Sequence, residues 1–420
     1  MHTVIIGNGI GGNAAAFGIR NYDRNAKITI VTRENCPEYE PGALPYYVGG
    51  KIPRQNVFLN NFDDYKSNNI DLIVQEAKEI DSEQKKVYLD RGSELTYDNL
   101  VIAAGGDLVM PPIKGIEKEG VYGCKVLADA DALYARNGKA AVVVGSGLIG
   151  IEASEALKEK GFEVYLLELA GWIMPRTFDE YAAKKLEKGL TENGIHVLTN
   201  ERLLSINGDS KVDSVTTDKR EIQCDTVVLA IGVAPSTGLA RQAGTEIGLT
   251  RGIKVNERMM TTVRDIYACG DCAETTDAIT GERVLIQLRH NALEQGKVIA
   301  KNCAGIPSVY PGAWSITRAH YFNTDSVSIG KTLTGIADQT DVEVIEREFG
   351  NDYCRLILNK GKLAGAHAVG RFAKDMGILF GSMWRKDDLA ELRAQWQKVT
   401  LINSCYPWHY RVIGRYMNLK

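Results

Sequence analysis

The chain has 420 residues, of which 25% are charged, and its formal net charge at pH 7 is −3. This length exceeds one typical hydrophobic core and predicts two or three domains. The nearly balanced charge gives no general basic field, so nucleic-acid binding is not expected. No apolar run reaches the roughly 18 residues that a membrane-spanning helix needs, so no span is expected. The eight cysteines lack disulfide-scaffold spacing, and no room for a signal peptide precedes the first predicted strand. These features favour a cytoplasmic protein with reduced thiols.

Two glycine-rich motifs each follow an apolar run and precede helix-like sequence. Gly7–Gly12 follows Thr3–Ile6, and Gly145–Gly150 follows Ala140–Val144. In this context the first glycine permits a tight turn, the second lets the backbone approach a pyrophosphate, and the third lets helix and strand pack. The pyrophosphate then rests on N–H groups at a helix N-terminus. Two such motifs predict two bound dinucleotides and electron transfer between them.

Each motif is followed by a predicted strand that ends near a carboxylate. Lys27–Thr32 precedes Glu34, and Glu163–Glu168 follows a predicted helix from about 148 to 160. An acidic residue about 20 positions after the glycines binds ribose hydroxyl groups in dinucleotide folds. Glu34 and Glu168 are therefore the ribose candidates. Because a carboxylate repels a 2′-phosphate, Glu168 favours NADH over NADPH.

Two further strand-like runs end in glycine and are followed by proline. Tyr97–Gly106 leads to Pro111, and Asp225–Gly232 leads to Pro235. Glycines at the end of a buried strand let the backbone pass close to another group, and proline then prevents the strand from continuing. Because these runs bracket the second motif, we expect the second nucleotide domain to be inserted into the first.

Together with Asp265–Asp271, these features resemble the flavoproteins of the pyridine nucleotide–disulfide reductase superfamily. That superfamily includes NADH oxidases, coenzyme A disulfide reductases, and rubredoxin or ferredoxin reductases. The resemblance is strong over about residues 1–305. It implies FAD on the first motif and NAD(H) on the second, with Glu152 on the nicotinamide side and no catalytic side chain or metal ligand. It also implies that residues 288–296 open a helix alongside the flavin. The cofactor residues implied are Gly7, Gly9, Gly12, Glu34, Ala104, Gly105, Gly270 and Asp271 for FAD, and Gly145, Gly147, Gly150, Glu168 and Gly232 for NAD(H).

The resemblance predicts an α/β fold with two Rossmann-like dinucleotide-binding domains, the second inserted in the first, and a C-terminal α+β interface domain. The expected boundaries are 1–110 and 236–310 for FAD, 111–235 for NAD(H), and 311–420 for an interface or dimerisation domain. The last domain contains four strand-like runs and a predicted helix around 387–397. Its end, residues 401–420, combines aromatic and basic side chains without acidic ones. Such a composition suits a protein interface or the packing of the domain itself.

Cysteine is missing from a position where related enzymes carry it. The loop Glu38–Tyr47 resembles the flavin-facing loop of coenzyme A disulfide reductases and NADH oxidases, which place a redox cysteine where this chain has Gly42. Cys36 could replace that thiol only if the loop folded back. The C-x-x-C of Cys269 and Cys272 is interpreted as two small residues in the flavin-binding turn, although this spacing also occurs in redox and metal sites. A thiol relay, and with it coenzyme A disulfide reduction, is therefore not expected.

The expected function is FAD-dependent NADH:acceptor oxidoreduction, in which flavin passes electrons to or from an iron–sulfur protein or subunit. We expect a homo- or hetero-oligomer. The loop also resembles the flavin subunit of multi-subunit 2-oxoacid:acceptor oxidoreductases such as phenylglyoxylate dehydrogenase. Two alternatives stay open: a free-standing NADH oxidase or quinone reductase, and a non-catalytic nucleotide-binding assembly subunit. His290 and His320 are interpreted as structural histidines rather than as proton donors near the flavin.

Overall fold

The computed structural model describes residues 1–389. Its strands are β1 (His2–Ile6), β2 (Lys27–Thr32), β3 (Ile70–Val74), β4 (Ala77–Asp81), β5 (Lys86–Leu89), β6 (Glu94–Thr96), β7 (Asn99–Ile102), β8 (Gly106–Leu108), β9 (Val121–Tyr122), β10 (Ala140–Val144), β11 (Glu163–Leu167), β12 (Ile195–Leu198), β13 (Leu203–Asn207), β14 (Ser214–Thr217), β15 (Glu221–Gln223), β16 (Thr226–Leu229), β17 (Val233–Pro235), β18 (Ile253–Lys254), β19 (Ile266–Ala268), β20 (Ala273–Thr276), β21 (Arg283–Val284), β22 (Ile316–Tyr321), β23 (Thr324–Gly330), β24 (Val342–Phe349), β25 (Asp352–Asn359) and β26 (Lys362–Val369). Its α-helices are α1 (Ile10–Tyr22), α2 (Leu44–Val48), α3 (Phe62–Ser67), α4 (Leu127–Ala135), α5 (Leu148–Glu159), α6 (Glu180–Glu192), α7 (Gly238–Gln242), α8 (Arg289–Cys303) and α9 (Met376–Arg385).

One compact unit combines residues 1–47, 52–109 and 233–314. Its main sheet is parallel and has the strand order β19-β7-β1-β2-β3. The central strands are apolar along their length because both faces of such a sheet are covered. Helices α1 and α8 pack closely, since a Cβ atom at Gly18 would lie 2.6 Å from the Ala300 side chain. This strand order is that of a doubly wound nucleotide-binding fold.

Among the described residues, the second compact unit combines 48–51, 110–232 and 315–389. One of its sheets is parallel, with the order β12-β11-β10-β16-β9, so β10 again has a neighbour on each side. Another sheet is antiparallel, with the order β22-β23-β26-β25-β24. The unit therefore contains a second nucleotide-binding sheet as well as the α+β structure predicted for the C-terminal region.

The predicted elements around both motifs agree with the structure to within one or two residues. The helix expected from about 148 to 160 is α5, and the strand expected at Lys27–Thr32 is β2. Helix α9 was missed because its sequence is largely apolar and contains two glycines, which lower helix propensity. The helix predicted around 387–397 lies mostly, and the segment 401–420 entirely, outside the described residues. The division into three domains stays a prediction.

Within residues 1–389, no helix is both long enough and apolar enough to cross a bilayer.

Candidate cofactor sites

The first glycine motif forms the turn between β1 and α1. Gly7 has a φ of +115°, and a Cβ atom there would overlap the Ala103 carbonyl, while one at Gly12 would overlap the Gly7 carbonyl. Gly9 begins the helix with a φ of −85°, and a Cβ atom built on it would meet nothing within 4 Å. No side chain caps this helix. The uncapped N–H groups of α1 therefore face open space, which fits the pyrophosphate of a dinucleotide.

The second motif repeats this geometry between β10 and α5. Gly145 has a φ of +99° beside the Ala230 carbonyl, and a Cβ atom at Gly150 would overlap the Gly145 carbonyl. Gly147 begins α5 without a side-chain cap, and nothing lies within 4 Å of a Cβ atom built there. Gly232, with a φ of +119°, follows Ala230 on the neighbouring strand end. This site fits a second pyrophosphate in the same manner.

Three separate segments meet beside the first motif. The strand end at Ala103 lies against Gly7, and the Cys269 Sγ atom would lie 2.9 Å from a Cβ atom at Gly11. Ala104 and Gly105 follow Ala103, and the Cys272 thiol donates to the carbonyl of Ile102, at the end of the same strand, at 3.5 Å. The predicted FAD residues on these segments are thus brought together by the fold.

Hydrogen bonds join the turn that carries Gly270 and Asp271 to helix α8 and to the segment just before it. Gly270 has a φ of +76°, and its N–H donates to Gln295 Oε1 at 2.8 Å. The Gln287 side chain donates to the Asp271 carbonyl at 3.0 Å. Helix α8 begins at Arg289, inside the segment 288–296 that was expected to open it.

The two ribose candidates have different partners. The Tyr39 hydroxyl lies 3.2 Å from both carboxylate oxygens of Glu34. Glu168 accepts hydrogen bonds from the Ser146 N–H at 3.0 Å, the Ser146 hydroxyl at 2.5 Å and the Ala170 N–H at 2.8 Å. Ser146 is the second residue of the second motif, so Glu168 fixes the loop itself. A carboxylate oxygen has more than one lone pair, and Glu168 can still accept from a ribose hydroxyl.

A buried polar network beside the first motif had no counterpart in the sequence analysis. The Tyr65 hydroxyl lies 3.1 Å from Asn8 Oδ1 and 3.0 Å from Asn13 Oδ1, and it accepts a hydrogen bond from the Glu38 N–H at 3.0 Å. The Asn13 amide donates to the Asn8 carbonyl at 2.8 Å. Asn60 donates to Glu38 Oε2 at 2.6 Å. The one available sequence signal was a polar Asn13 among small residues in the first turn of α1.

Two acids in these units have pKa values well above the usual range of a glutamic acid. Burial raises the pKa of Glu38 to about 8. Burial, and then the nearby Glu155 carboxylate, raise the pKa of Glu152 to about 8. Glu155 is itself paired, because Lys51 Nζ lies 3.0 Å from it and 2.8 Å from Glu159. The carboxyl of Glu152 can therefore donate a hydrogen bond at pH 7.

The cysteines near the first motif are placed as packing groups. Cys269 and Cys272 are fully buried, and burial raises the pKa of both thiols, that of Cys272 to about 12. A buried thiol with a raised pKa is a poor nucleophile. Gly42 lies in an exposed 3-10 turn, Pro41–Ala43. The carbonyl of Cys36 accepts a hydrogen bond from the Asn8 side-chain amide at 3.1 Å. Cys36 thus lies beside the glycine motif.

The two histidines considered from the sequence have structural partners. His290 Nε2 lies 2.9 Å from the Trp314 carbonyl, and burial followed by the Arg289 charge lowers its pKa. His320 is an exposed residue whose Nδ1 lies 3.0 Å from Asp325 Oδ1. Within residues 1–389, no three His, Cys, Asp or Glu side chains are grouped as metal ligands would be.

The chain is similar to several redox enzymes over most of its length. It is 36% identical over 321 residues to an NADH oxidase of Methanocaldococcus jannaschii, covering 74% of this chain and 71% of the relative. It is 28% identical to the NADH-dependent phenylglyoxylate dehydrogenase subunit epsilon of Aromatoleum evansii, covering 91% of each chain. It is 30% identical to the rubredoxin-NAD(+) reductase of Pseudomonas putida, covering 85% of this chain and 91% of the relative.

The fold agrees with these relatives. A solved NAD-dependent persulfide reductase from A. fulgidus superimposes with a TM-score of 0.88 at 33% identity, covering 94% of this chain and 78% of the other. The chain spans about half of a longer relative, the assimilatory nitrate reductase electron transfer subunit of Bacillus subtilis, of which it covers 50% at 31% identity and 93% of this chain.

Two nucleotide-binding sheets, each with an open glycine turn at a helix N-terminus, define an oxidoreductase that uses two dinucleotides. Residues 1–296 match the pyridine nucleotide-disulphide oxidoreductase family, and the chain belongs to that family. It is an NADH-dependent flavoprotein oxidoreductase with FAD and NAD(H) as its cofactors. The predicted fold class, enzyme class and cofactors are thereby confirmed.

Proposed function

We propose that this flavoprotein moves electrons between NAD(H) and an iron–sulfur protein or subunit through the flavin alone. The observation that carries the proposal is Gly42, which replaces a redox thiol in an exposed turn. A Cβ atom at Gly42 would have only Glu40 Oε1 within 4 Å, at 3.6 Å, so no neighbour excludes a side chain there. The glycine is therefore not required by packing, and the buried Cys269 and Cys272 offer no replacement thiolate.

We assign FAD to the first motif and NAD(H) to the second. Gly9 would face the FAD pyrophosphate, with Glu34 and Asp271 accepting from hydroxyl groups of the cofactor and Ala104–Gly105 passing beside it. When bound, FAD accepts a hydride from NADH and releases electrons singly or in pairs. The chain contributes binding and orientation, which lower the entropic part of the barrier.

On the NAD(H) side, Gly147 would face the pyrophosphate and Glu168 the ribose. The backbone at Gly232 would pass beside the cofactor. Glu152 lies one turn into α5 and would be on the nicotinamide side. Because its pKa is raised to about 8, Glu152 is uncharged at pH 7 and can donate a hydrogen bond without adding negative charge. Ser146, held by Glu168, would keep the glycine loop in its open form.

Two relatives support a protein acceptor or donor. Their names are rubredoxin-NAD(+) reductase and phenylglyoxylate dehydrogenase subunit epsilon, and the second matches this chain over 91% of both lengths. In a multi-subunit 2-oxoacid:acceptor oxidoreductase, the chain would take electrons from iron–sulfur subunits and reduce NAD⁺.

The 36% identity to an NADH oxidase favours a second candidate, a free-standing NADH oxidase or quinone reductase. A third, a non-catalytic assembly subunit, would contain flavin that NADH cannot reduce.

An anaerobic titration with NADH, followed by flavin absorbance, tests the proposal. We expect bleaching by about one NADH per flavin, slow reoxidation in air, and fast reoxidation by a one-electron iron–sulfur acceptor such as rubredoxin or ferredoxin. Rapid turnover with oxygen would instead support the oxidase, and unbleached flavin would support the assembly subunit.

A matched variant tests the missing thiol. Gly42→Cys restores a cysteine at the exposed turn, so iodoacetamide should change the reoxidation kinetics of this variant and leave the unsubstituted protein unaffected. Equal sensitivity of both proteins would show that another cysteine takes part in the reaction.

A further inference from the structure

His367 is a buried histidine on β26, and both of its ring nitrogens have polar partners. The residue is 1% exposed. Its Nε2 atom lies 3.0 Å from the Lys331 carbonyl, and its Nδ1 atom lies 2.9 Å from the Ser328 hydroxyl. The same hydroxyl lies 2.7 Å from the Thr177 carbonyl. These three contacts form one chain from the antiparallel sheet to the segment that precedes α6.

The three contacts require three protons. Two of them end on carbonyl oxygens, which can only accept, and the third joins a nitrogen to a hydroxyl oxygen. Ser328 supplies one proton and a neutral imidazole supplies one, so either neutral tautomer leaves one contact with two acceptors facing each other. An imidazolium has a proton on both nitrogens and satisfies all three contacts. The geometry therefore fits the protonated ring.

Burial acts against this proton. It lowers the pKa of His367 below the ordinary value of about 6.5. The Lys331 carbonyl and the Asp179 carboxylate oppose that effect, and the Arg355 guanidinium adds to it. Arg355 lies 2.7 Å from Asp179 and 2.6 Å from Glu346, so these charges are paired with one another. At neutral pH the ring is therefore largely neutral, and one of the three contacts lacks its proton.

The other elements that pack on β26 are α6, α9 and the 3-10 turn Gly370–Asp375. Their charged side chains form five ion pairs with groups other than His367: Lys184–Glu180, Lys185–Glu348, Lys188–Glu192, Arg371–Asp352 and Arg385–Asp387. Glu187, Lys374 and Asp375 are the remaining charged residues of these elements. The charges that act on the ring are therefore those of Asp179 and Arg355.

The segment held by Ser328 also supports the second glycine motif. The N–H groups of Thr177 and Phe178 donate to the Met174 carbonyl at 2.9 and 3.0 Å, and the Met174 N–H donates to the Ser146 carbonyl at 3.0 Å. Met174 has a φ of +49°, a conformation that a residue with a side chain keeps only where its surroundings fix it. Ser146 stands between the first two glycines of the motif. A displacement of Thr177 would therefore reach the glycine turn through two main-chain hydrogen bonds.

We propose that His367 is a positioning residue for NAD(H), because its second ring proton completes the contacts that hold Thr177 and, through Met174, the second glycine motif. The inference rests on the assignment of NAD(H) to that motif. When the ring is neutral, one contact is repulsive and the segment is held less firmly. NAD(H) should therefore bind more tightly when His367 is protonated, and binding to the neutral form should favour the uptake of a proton.

Titration of the oxidised holoenzyme with NAD⁺, followed by calorimetry from pH 5 to 7.5, tests the inference. NAD⁺ leaves the flavin oxidised, so the titration measures binding without electron transfer. Because the ring loses its charge as the pH rises through its pKa, the Kd should rise over this range and then level off. We expect a total rise of about five- to tenfold, which corresponds to one hydrogen bond.

Three variants assign the pH dependence to this ring. His367→Gln keeps hydrogen-bonding groups without a titrating proton, so its Kd should change less than twofold from pH 5 to 7.5. Ser328→Ala removes the hydroxyl between the ring and Thr177, and its Kd should stay at the weaker value throughout. His320→Gln changes an exposed histidine on β22 of the same sheet and should keep the full pH dependence. An unchanged pH dependence in His367→Gln would overturn the inference.

Calorimetry of the unsubstituted protein provides a test that needs no variant. Binding of NAD⁺ in two buffers of different ionisation enthalpy should show the uptake of part of a proton below pH 7, and this uptake should vanish at pH 7.5. A constant Kd without proton uptake from pH 5 to 7.5 would contradict the role of His367 alone. Failure to bind NAD⁺ at any pH, or undiminished binding in Gly147→Val, would overturn the assignment of the second motif and the inference with it.

Discussion

The two glycine motifs share a backbone and differ in the residue that stands between the first two glycines. In the first motif that residue is Asn8, which is held by the uncharged hydroxyl of Tyr65. In the second it is Ser146, which is held by the carboxylate of Glu168. The first and last glycines of each motif are repeated because a Cβ atom there would collide with a backbone carbonyl, whereas Gly9 and Gly147 face open space. The residue between the first two glycines meets no such restriction and has a different partner in each motif. One scaffold therefore holds its two anionic ligands in different electrostatic surroundings.

The packing of the two motifs differs as well. The first has an additional glycine, Gly11, where a Cβ atom would lie 2.9 Å from the Cys269 Sγ atom and 3.4 Å from the Ala292 carbonyl oxygen on α8. The second has Ile149 at the corresponding place. Gly11 is therefore required by the packing of neighbouring protein atoms and not by the bound ligand. The following predictions test how far the two motifs are equivalent.

The largest effect is expected from paired valine substitutions at the open glycines. Gly147→Val should abolish reduction of the flavin by NADH while FAD stays bound, and Gly9→Val should prevent FAD binding. Both positions have φ values that accept a side chain, so the fold should form, but valine would occupy the pyrophosphate space. We expect a loss of affinity of at least about a hundredfold, or ~2.7 kcal/mol. Flavin content and NADH titration measure both effects.

Each valine variant is the control for the other, since both carry the same substitution in the same backbone geometry. If Gly147→Val lost FAD and still consumed NADH, the assignment of the two motifs would be reversed.

A smaller effect is expected from Asp271→Ala, which removes a hydrogen-bond acceptor from the turn beside the first motif. FAD affinity should fall by about ten- to a hundredfold, corresponding to a lost hydrogen bond to a charged group of about 1.5–3 kcal/mol. NADH affinity should not change. Asp271→Asn keeps an acceptor and should lose less, and equal losses in both variants would argue against a hydrogen bond. FAD titration of the apoproteins gives the comparison.

Glu168→Gln tests whether the carboxylate beside the second motif sets the preference for NADH over NADPH. Removing the negative charge should reduce the preference for NADH over NADPH by about tenfold, or ~1.4 kcal/mol, because less repulsion acts on the 2′-phosphate. The ratio of kcat/KM for the two nucleotides is the measurement. Glu163→Gln, an exposed acid at the start of the same strand, is the control and should leave the ratio unchanged. An unaltered ratio in Glu168→Gln would place the ribose elsewhere.

The smallest functional effect is expected from Cys269→Ala, which replaces the packing group beside Gly11. FAD binding and reduction by NADH should stay within twofold of their original values, because the thiol is buried and protonated. Stability should fall by about 1 kcal/mol for the lost buried group, measurable as a lower Tm. Loss of flavin reduction with FAD still bound would give the C-x-x-C a redox role after all.

Much of the scaffold was readable from local sequence. The apolar runs and glycines at Gly7–Gly12 and Gly145–Gly150 predicted both nucleotide turns, and β2 begins and ends where its sequence predicted. Helix α9 was not predicted because its sequence contains two glycines, which lower helix propensity. The partner of the enzyme stays a proposal, since no described residue identifies it.

By itself the sequence determined the two dinucleotide turns and their strands, because the restriction on φ and the burial of apolar runs are local properties. Only the tertiary structure decided that Tyr65 joins Asn8 and Asn13, that Glu168 holds Ser146, and that burial raises the pKa of Glu38. These depend on groups distant in sequence coming within hydrogen-bond distance, and on the exclusion of water around a carboxyl group. Neither is encoded by the spacing of neighbouring residues, since the pKa of a buried acid is set by everything that surrounds it.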